Sequence, residues 1–225
     1  MAKRKDYNQS YFENIDTEDK AYFLGFIYAD GSIVTNKRNS LYLKLHTKDL
    51  HIIETFIKCI GGEMTPWKQK KRDIIQVSIS GEKILNDLLK IGLHQNKTFT
   101  IKYPDINPEL ERHFIRGYFD GDGCIRVKTD KRDGSKIGDL RFVSGSIDML
   151  NKINERMNVL FDTKKNSLYG PKDKNYKYPG YGAMTDIEKI YKGFYEDSNF
   201  FLFKKKETFD NVINIIKDKK KYRKK

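Results

Sequence analysis

The chain has 225 residues, with 44 Lys and Arg against 31 Asp and Glu, giving a net charge of +13 at pH 7. Hydrophobic residues make up 38% and include 14 Phe and 14 Tyr, enough core material for one large domain or two small ones, which excludes wholesale disorder. No run of 18 apolar residues exists, the N-terminus has no apolar signal region, and Cys59 and Cys124 cannot build a disulfide framework or a four-ligand zinc site. An intracellular, non-secreted protein is expected, with a polyanionic partner such as nucleic acid or an anionic membrane surface.

In chain order, Asp16 to Asp30 reads as a helix. Asp16 or Thr17 can cap it, Glu18 and Asp19 suit the positive end of its dipole, and Gly31 is placed to stop it. Leu41, Leu43 and Leu45 then alternate with Tyr42, Lys44 and His46, the pattern of a half-buried strand. Residues 48–60 carry a helical stripe of Leu50, Ile53, Phe56, Ile57 and Ile60. Residues 63–80 read as a hairpin with Lys68, Lys70, Lys71 and Arg72 in its turn and Trp67 packed beneath it. In its second strand Ile75, Val77 and Ile79 alternate with Gln76, Ser78 and Ser80. A helix at 82–91 and a connection over 92–106 complete a first half, residues 1–106.

The second half, residues 107–225, opens on a helix from Asn107 to Asp122. Asn107 is its N-cap, Pro108 sits at N1, Glu109 and Glu111 fill the first turn, and Gly123 ends it. Ile125 and Val127 alternate with Arg126 and Lys128, a polar loop passes through Asp133 and Gly134, and a strand is centred on residues 140–144. A helix at 147–160, weaker strands near 165–170 and 180–186, and helices near 186–195 and 205–218 follow, with the basic tail 217–225 expected to fray. The order is helix, two strands, helix, two strands, helix, performed twice.

The two opening helices share a pattern. Tyr22 to Ser32 and Phe114 to Cys124 superpose without a gap at an offset of 92 residues (122 − 30), aligning Gly25 with Gly117, Ala29 with Gly121, Asp30 with Asp122 and Gly31 with Gly123. Each aspartate ends its helix, where the dipole is negative and a carboxylate costs about 0.3–1 kcal/mol at an exposed site. A divalent cation would relieve that repulsion if the helices ran side by side, and small residues four apart on one face allow such close contact. Taken singly, either Asp-Gly pair reads as an ordinary helix stop. Asp120-Gly-Asp-Gly also resembles the start of a calcium loop, but Cys124 and Ile125 stand where a ligand and a glycine belong. The recurrence is what favours a functional pair.

Phe23–Gly31 and Ile115–Gly123 resemble the two nine-residue motifs of the single-chain LAGLIDADG homing endonucleases, and the element order extends the resemblance over nearly the whole chain. It implies an α+β fold of two αββαββα half-domains related by a pseudo-twofold axis. The motif helices, through Gly25, Ala29, Gly117 and Gly121, would form the interface, and saddle-shaped antiparallel sheets would face DNA. It implies that Asp30 and Asp122, helped by the carbonyls of Ala29 and Gly121, bind divalent metal. Mg²⁺ is the expected ion, with Mn²⁺ able to substitute and Ca²⁺ binding without supporting cleavage. Tyr28 departs from the motif, which often has an acid there; Asp120 keeps it, and the change reads as one of packing. Two segments resemble those carrying the family's basic residue, which nominates Lys97 and Lys205, with Lys204 the neighbour most easily confused with the latter.

Strand alternation turns Tyr42, Lys44, His46, Gln76, Ser78, Arg126, Lys128 and Arg141 away from the apolar side, as groove-reading residues would be. Loop residues Lys37, Arg38, Lys68, Lys70, Arg72, Lys131 and Arg132 suit phosphate contacts. His51 and His113 lie on helices and are not expected to be ligands; Cys59 reads as core and Cys124 as a neighbour of the site. The function implied is metal-dependent cleavage of double-stranded DNA by a monomer at a long, asymmetric target. An intron maturase binding RNA and a cleavage-inactive DNA-binding regulator are the alternatives, although retention of both aspartates counts against the regulator. An intein is disfavoured by Met1 and by the absence of a terminal His-Asn.

Overall fold

The computed structural model describes residues 7–37, 40–68 and 73–222. The chain packs as two compact units divided between Gly121 and Asp122. The first contains α1 (Glu18–Asp30), β1 (Gly31–Thr35), β2 (Leu41–Thr47), α2 (Leu50–Cys59), β3 (Trp67–Lys68), β4 (Ile75–Ile79), α3 (Glu82–Ile91) and all but the last residue of α4 (Glu111–Asp122). The second contains β5 (Gly123–Thr129), β6 (Lys136–Phe142), α5 (Ile147–Phe161), β7 (Leu168–Tyr169), β8 (Tyr178–Tyr181), α6 (Met184–Tyr195) and α7 (Phe203–Tyr222). The two antiparallel sheets have the same topology, β1-β2-β4-β3 and β5-β6-β8-β7, so the repeat is one of strand order as well as of motif. Counted by repeat, α4 heads the second half; by packing it belongs with the first unit, where it lies against α1.

Alternation explains the sheets. In the first, Ile33, Leu43, Leu45, Ile75, Val77 and Ile79 are buried on one face, under Ile52, Ile53 and Phe56 of α2 and Ile84 and Leu88 of α3. In the second, Ile125, Leu140, Phe142 and Tyr181 lie beneath α5, α6 and α7. A methyl group on Gly138 would come within 2.5 Å of Val212 Cγ1 and 2.8 Å of Ile187 Cδ1, so α6 and α7 press on β6 where a side chain is missing. Among the described residues no helix is long and apolar enough to cross a membrane.

Several expectations need correction. Gly31 is not a left-handed helix stop: its φ is −82° and ψ 155°, and it already pairs with Leu45 in the sheet. Gly123 likewise heads β5, paired with Phe142. Each helix ends because strand pairing begins, and glycine is required at 31 because a methyl there would lie 2.6 Å from the Ile27 carbonyl oxygen. The left-handed glycines that follow helices in this unit are Gly61, φ 67°, after α2, and Gly92, φ 116°, after α3.

Asn107 caps a short 3-10 turn leading into α4, accepting from the Glu109 N–H at 3.0 Å. Leu50, in the first turn of α2, is exposed, and Ile52 takes its place in the buried stripe. Val127 is also exposed, opposite Gly138 across the ladder. Trp67 is not packed beneath the hairpin: it is 56% exposed and lies opposite Gln76. Cys59 is half-buried, its thiol pushed up to about 11 by burial and by Asp19. β6 starts at Lys136 because it pairs along the whole of β5, and residues 217–222 of the basic tail are helical, completing α7. Arg38, Lys70, Lys71 and Arg72 lie outside the described residues.

Candidate active site and nucleic-acid interface

The ends of α1 and α4 are set by a glycine contact. A methyl on Gly25 would lie 2.0 Å from the Phe114 carbonyl oxygen, and one on Gly117 would lie 1.9 Å from that of Tyr22. One on Gly121 would sit 2.3 Å from Ala29 Cβ and 3.6 Å from Asp30 Cγ. Backbone therefore meets backbone along the pair, and the Asp30 carboxylate stands beside the last turn of α4. Buried polar braces hold the crossing: Tyr22 Oη donates to Asp120 Oδ2 at 2.7 Å, and Arg116 Nη2 to Glu18 Oε1 at 2.8 Å. The position where the motifs differ is a strut in both copies. Asp120 accepts from Tyr22, while Tyr28 donates to the Ile91 carbonyl at 3.0 Å. His113 belongs to this brace, facing Arg116 Nη1 at 2.9 Å and Arg112 Nε at 3.2 Å; burial and the arginines lower it to about 4, so it is neutral at pH 7.

Lys97 reaches the end of α1. Its Nζ donates to the backbone carbonyls of Tyr28 at 2.5 Å and Ala29 at 3.0 Å, a cation on the negative end of the helix. The loop that delivers it is tied down by its neighbours. His94 bridges the Gly92 carbonyl (3.0 Å) and Thr100 Oγ1 (2.7 Å), and Gln95 donates to Thr35 Oγ1 at 2.8 Å. Their only signal was adjacency to Lys97. Lys205 stands in the first turn of α7, half-buried, with Lys204 exposed beside it. Lys206, in the same turn, donates to Asp210 (3.0 Å to Oδ2) and lies within 6 Å of the rings of Tyr191, Tyr195 and Phe201.

Among the described residues no group of three or more His, Cys, Asp or Glu could hold a metal ion. In the first unit the helix ends offer oxygen, the carboxylate of Asp30, final residue of α1, and the carbonyls of Ala29 and Gly121; Asp122 ends α4 as the first residue of the second unit. The Ala29 carbonyl already attracts one cation, the Lys97 ammonium. Carboxylate and carbonyl oxygens are the donors a hard divalent ion takes.

The outer faces of the sheets carry the other nominated residues. In the first sheet the register sets Tyr42 opposite Val34, Lys44 opposite Ser78 and His46 opposite Gln76, on the face away from the core, with Gln76 Nε2 donating to Ser78 Oγ at 3.1 Å. Burial, with Lys44 and Lys97 nearby, holds His46 below its ordinary value, so it faces outward neutral. In the second sheet Arg126 pairs with Asp139 and Cys124 with Arg141, again on the outer face. Asp139 is buried there beneath cations: Arg126 Nε to Oδ2 at 2.8 Å, Arg141 Nη2 to Oδ2 at 2.7 Å and Lys128 Nζ to Oδ1 at 3.2 Å. Burial pushes this carboxyl up, but the hydrogen bonds from Arg126 and Arg141 and the charge of Lys128 bring it below its usual range. Lys37 and Lys131 are exposed; Lys68 lies 3.8 Å from Asp73, and Arg132 is paired with Asp130 at 2.6 Å.

Residues 109–178 match the LAGLIDADG-like domain family. The fold is similar to that of the homing endonuclease I-SmaMI bound to an uncleaved DNA target in the presence of calcium, with 14% identity, a TM-score of 0.67, and coverage of 89% of this chain and 92% of that one. It is also similar to the LAGLIDADG homing endonuclease I-LtrWI bound to target DNA, with 17% identity, a TM-score of 0.63, and coverage of 94% and 92%. A LAGLIDADG-like domain thus spans the second motif, and the chain has the fold of the single-chain LAGLIDADG homing endonucleases. A probable translation initiation factor IF-2 of Methanocaldococcus jannaschii is 27% identical over 190 residues; the chain covers 16% of that protein's length, so the likeness is to one segment of it.

Proposed function

We propose that this chain is a site-specific, metal-dependent endonuclease of double-stranded DNA, acting as a monomer on a long, asymmetric target. The observation that carries the reading is the conjunction at the motif helices. Each ends in an aspartate, at Asp30 and at Asp122, and glycines let the helices touch where a carboxylate could otherwise be avoided. DNA as the partner draws support from the DNA-bound I-SmaMI and I-LtrWI structures and from the basic charge.

In this reading Asp30 and Asp122 are ligands to divalent metal, Mg²⁺ by preference, assisted by the Ala29 and Gly121 carbonyls. The ion, when bound, supplies Lewis-acid stabilisation of charge developing on the phosphodiester. Lys97, held at the end of α1, would bring positive charge to the phosphate or orient the attacking water, and Lys205 is assigned the matching part in the second unit. The outer face of the first sheet offers Tyr42, Lys44, His46, Gln76 and Ser78 to bases; that of the second offers Arg126, Lys128 and Arg141. Lys37, Lys68, Lys131 and Arg132 would contact phosphates, as would Arg38, Lys70 and Arg72. The differing faces imply a target without a palindrome.

The test is selection of cut sites from a duplex library in Mg²⁺, with Asp30→Asn and Asp122→Asn as controls. Each substitution is expected to slow cleavage by about a hundredfold or more while leaving binding in Ca²⁺ intact. Tight duplex binding by the native chain with no cleavage would instead point to the regulator, and selective binding of a folded intron RNA to the maturase.

A further inference from the structure

The two outer faces differ in one respect that alternation alone does not anticipate. The described outward residues of the first sheet, Ser32, Val34, Tyr42, Lys44, His46, Gln76, Ser78 and Trp67, include no acid. The second sheet carries Asp139 in the middle of its outer face, only 4% exposed, with Arg126, Lys128 and Arg141 paired to it. A carboxylate in the centre of a surface meant for a polyanion is unfavourable in itself. The geometry shows what it does there. Arg126 uses Nε for Asp139, which leaves the Nη1–Nη2 edge, the fork that fits guanine O6 and N7, directed away from the carboxylate. Arg141 is held from two sides, by Asp139 and by the Tyr178 ring, with its guanidinium carbon 4.4 Å from the ring centroid. Three long side chains that would otherwise sample many rotamers share one anchor.

We infer that Asp139 is a positioning residue for base recognition: it fixes Arg126, Lys128 and Arg141 as a rigid array on the second sheet, and that array reads guanine in the half of the target it faces. The inference rests on the proposed DNA-binding function and deepens it. Asp139 sacrifices attraction for DNA in general and gains discrimination between sequences, because a pre-set fork loses less freedom on the right base and cannot bend to suit the wrong one.

Opposite signs make the idea testable. Binding would be measured without cleavage, in Ca²⁺, for the native chain, Asp139→Asn and Arg126→Met, on a selected target, on targets with each guanine replaced, and on an unrelated duplex over a salt series. Asp139→Asn is expected to bind the unrelated duplex as tightly as the native chain or tighter, and to lose roughly tenfold of its preference at the guanine positions that Arg126→Met also affects. Tyr178→Leu, which leaves the charge unchanged, is expected to relax discrimination without tightening unrelated binding, and stands in if Asp139→Asn does not fold. Unchanged discrimination in both variants would overturn the inference, as would an equal loss on every duplex at unchanged melting temperature. A native chain that binds but shows no preference for guanine in either half of its target would also overturn it, while one that binds no duplex would overturn the DNA-binding reading itself.

Discussion

At the scale of single residues, the helix dipole opposes one kind of charge at the ends of α1 and α4 and favours the other. A carboxylate ends each helix, where the dipole opposes it, and a lysine ammonium bridges the Tyr28 and Ala29 carbonyls. Lys97→Met removes that cation, so folding stability is expected to fall by about 0.3–1 kcal/mol, with cleavage falling further than binding; urea unfolding and single-turnover cleavage measure the two. His113 adds a pH signature. Its folded value, about 4, lies below the ordinary 6.5 because of burial and of Arg116 and Arg112, with Glu18 only partly opposing them. Between those values the unfolded chain binds the proton and the folded chain does not, so stability rises with pH and is lost as pH drops from 6.5 towards 4. Melting at pH 7.5, 6 and 5 should show that slope, and His113→Gln should flatten it. In the sequence, recurrence and motif nominate Asp30, Asp122 and Lys97 for the candidate site. The sequence hides Asp139, since one acid between Gly138 and Leu140 looks like any solvated charge until the register sets it opposite Arg126.

The secondary-structure elements were legible wherever burial has a period. The alternation of Leu43 with Leu45, and of Ile75 with Val77 and Ile79, placed β2 and β4, and their buried faces follow it. Punctuation was less reliable. Gly31 and Gly123 suggested left-handed stops by chemistry alone, whereas long-range pairing with Leu45 and Phe142 ends the helices, information that no local window contains. Trp67 differs from expectation for a related reason: a two-residue strand has no period, and only its pairing with Gln76 shows that it faces outward. The contact of α1 with α4 carries its own prediction. Gly25→Ala and Gly117→Ala each drive a methyl into a carbonyl oxygen, at 2.0 and 1.9 Å, with no flexible side chain to give way. A loss of about 1–3 kcal/mol or more is expected in denaturant unfolding. Gly182→Ala, where a methyl would meet only the Gly138 carbonyl at 4.0 Å, should be near neutral.

For the whole molecule, in the function proposed above, charge sets affinity and the sheets set choice. With a net charge of +13, binding to any duplex should weaken steeply with salt, and the slope of log K against log salt counts the phosphates neutralised. Lys37→Gln and Lys131→Gln, both in exposed turns, should each reduce that slope by about one without altering sequence preference, as fluorescence anisotropy over a KCl series would show. The basic composition is the sequence feature that suggests a polyanionic partner. It gave no sign that the second sheet tempers its own charge, because net charge is blind to arrangement.

The direct run of α1 into β1 and of α4 into β5 has a mechanical meaning. With Gly31 already in the ladder and Asp30 still in the helix, no spare residue separates the acid from the strand beside it. A joint without slack cannot absorb error. A slip of one residue in the sheet would carry the acid about 3.3 Å along the strand direction, more than the length of a hydrogen bond. In the proposed enzyme, a sheet seated out of step on the wrong sequence would therefore draw its carboxylate off the phosphate it is meant to serve, and the ruler that measures the site would also hold the blade.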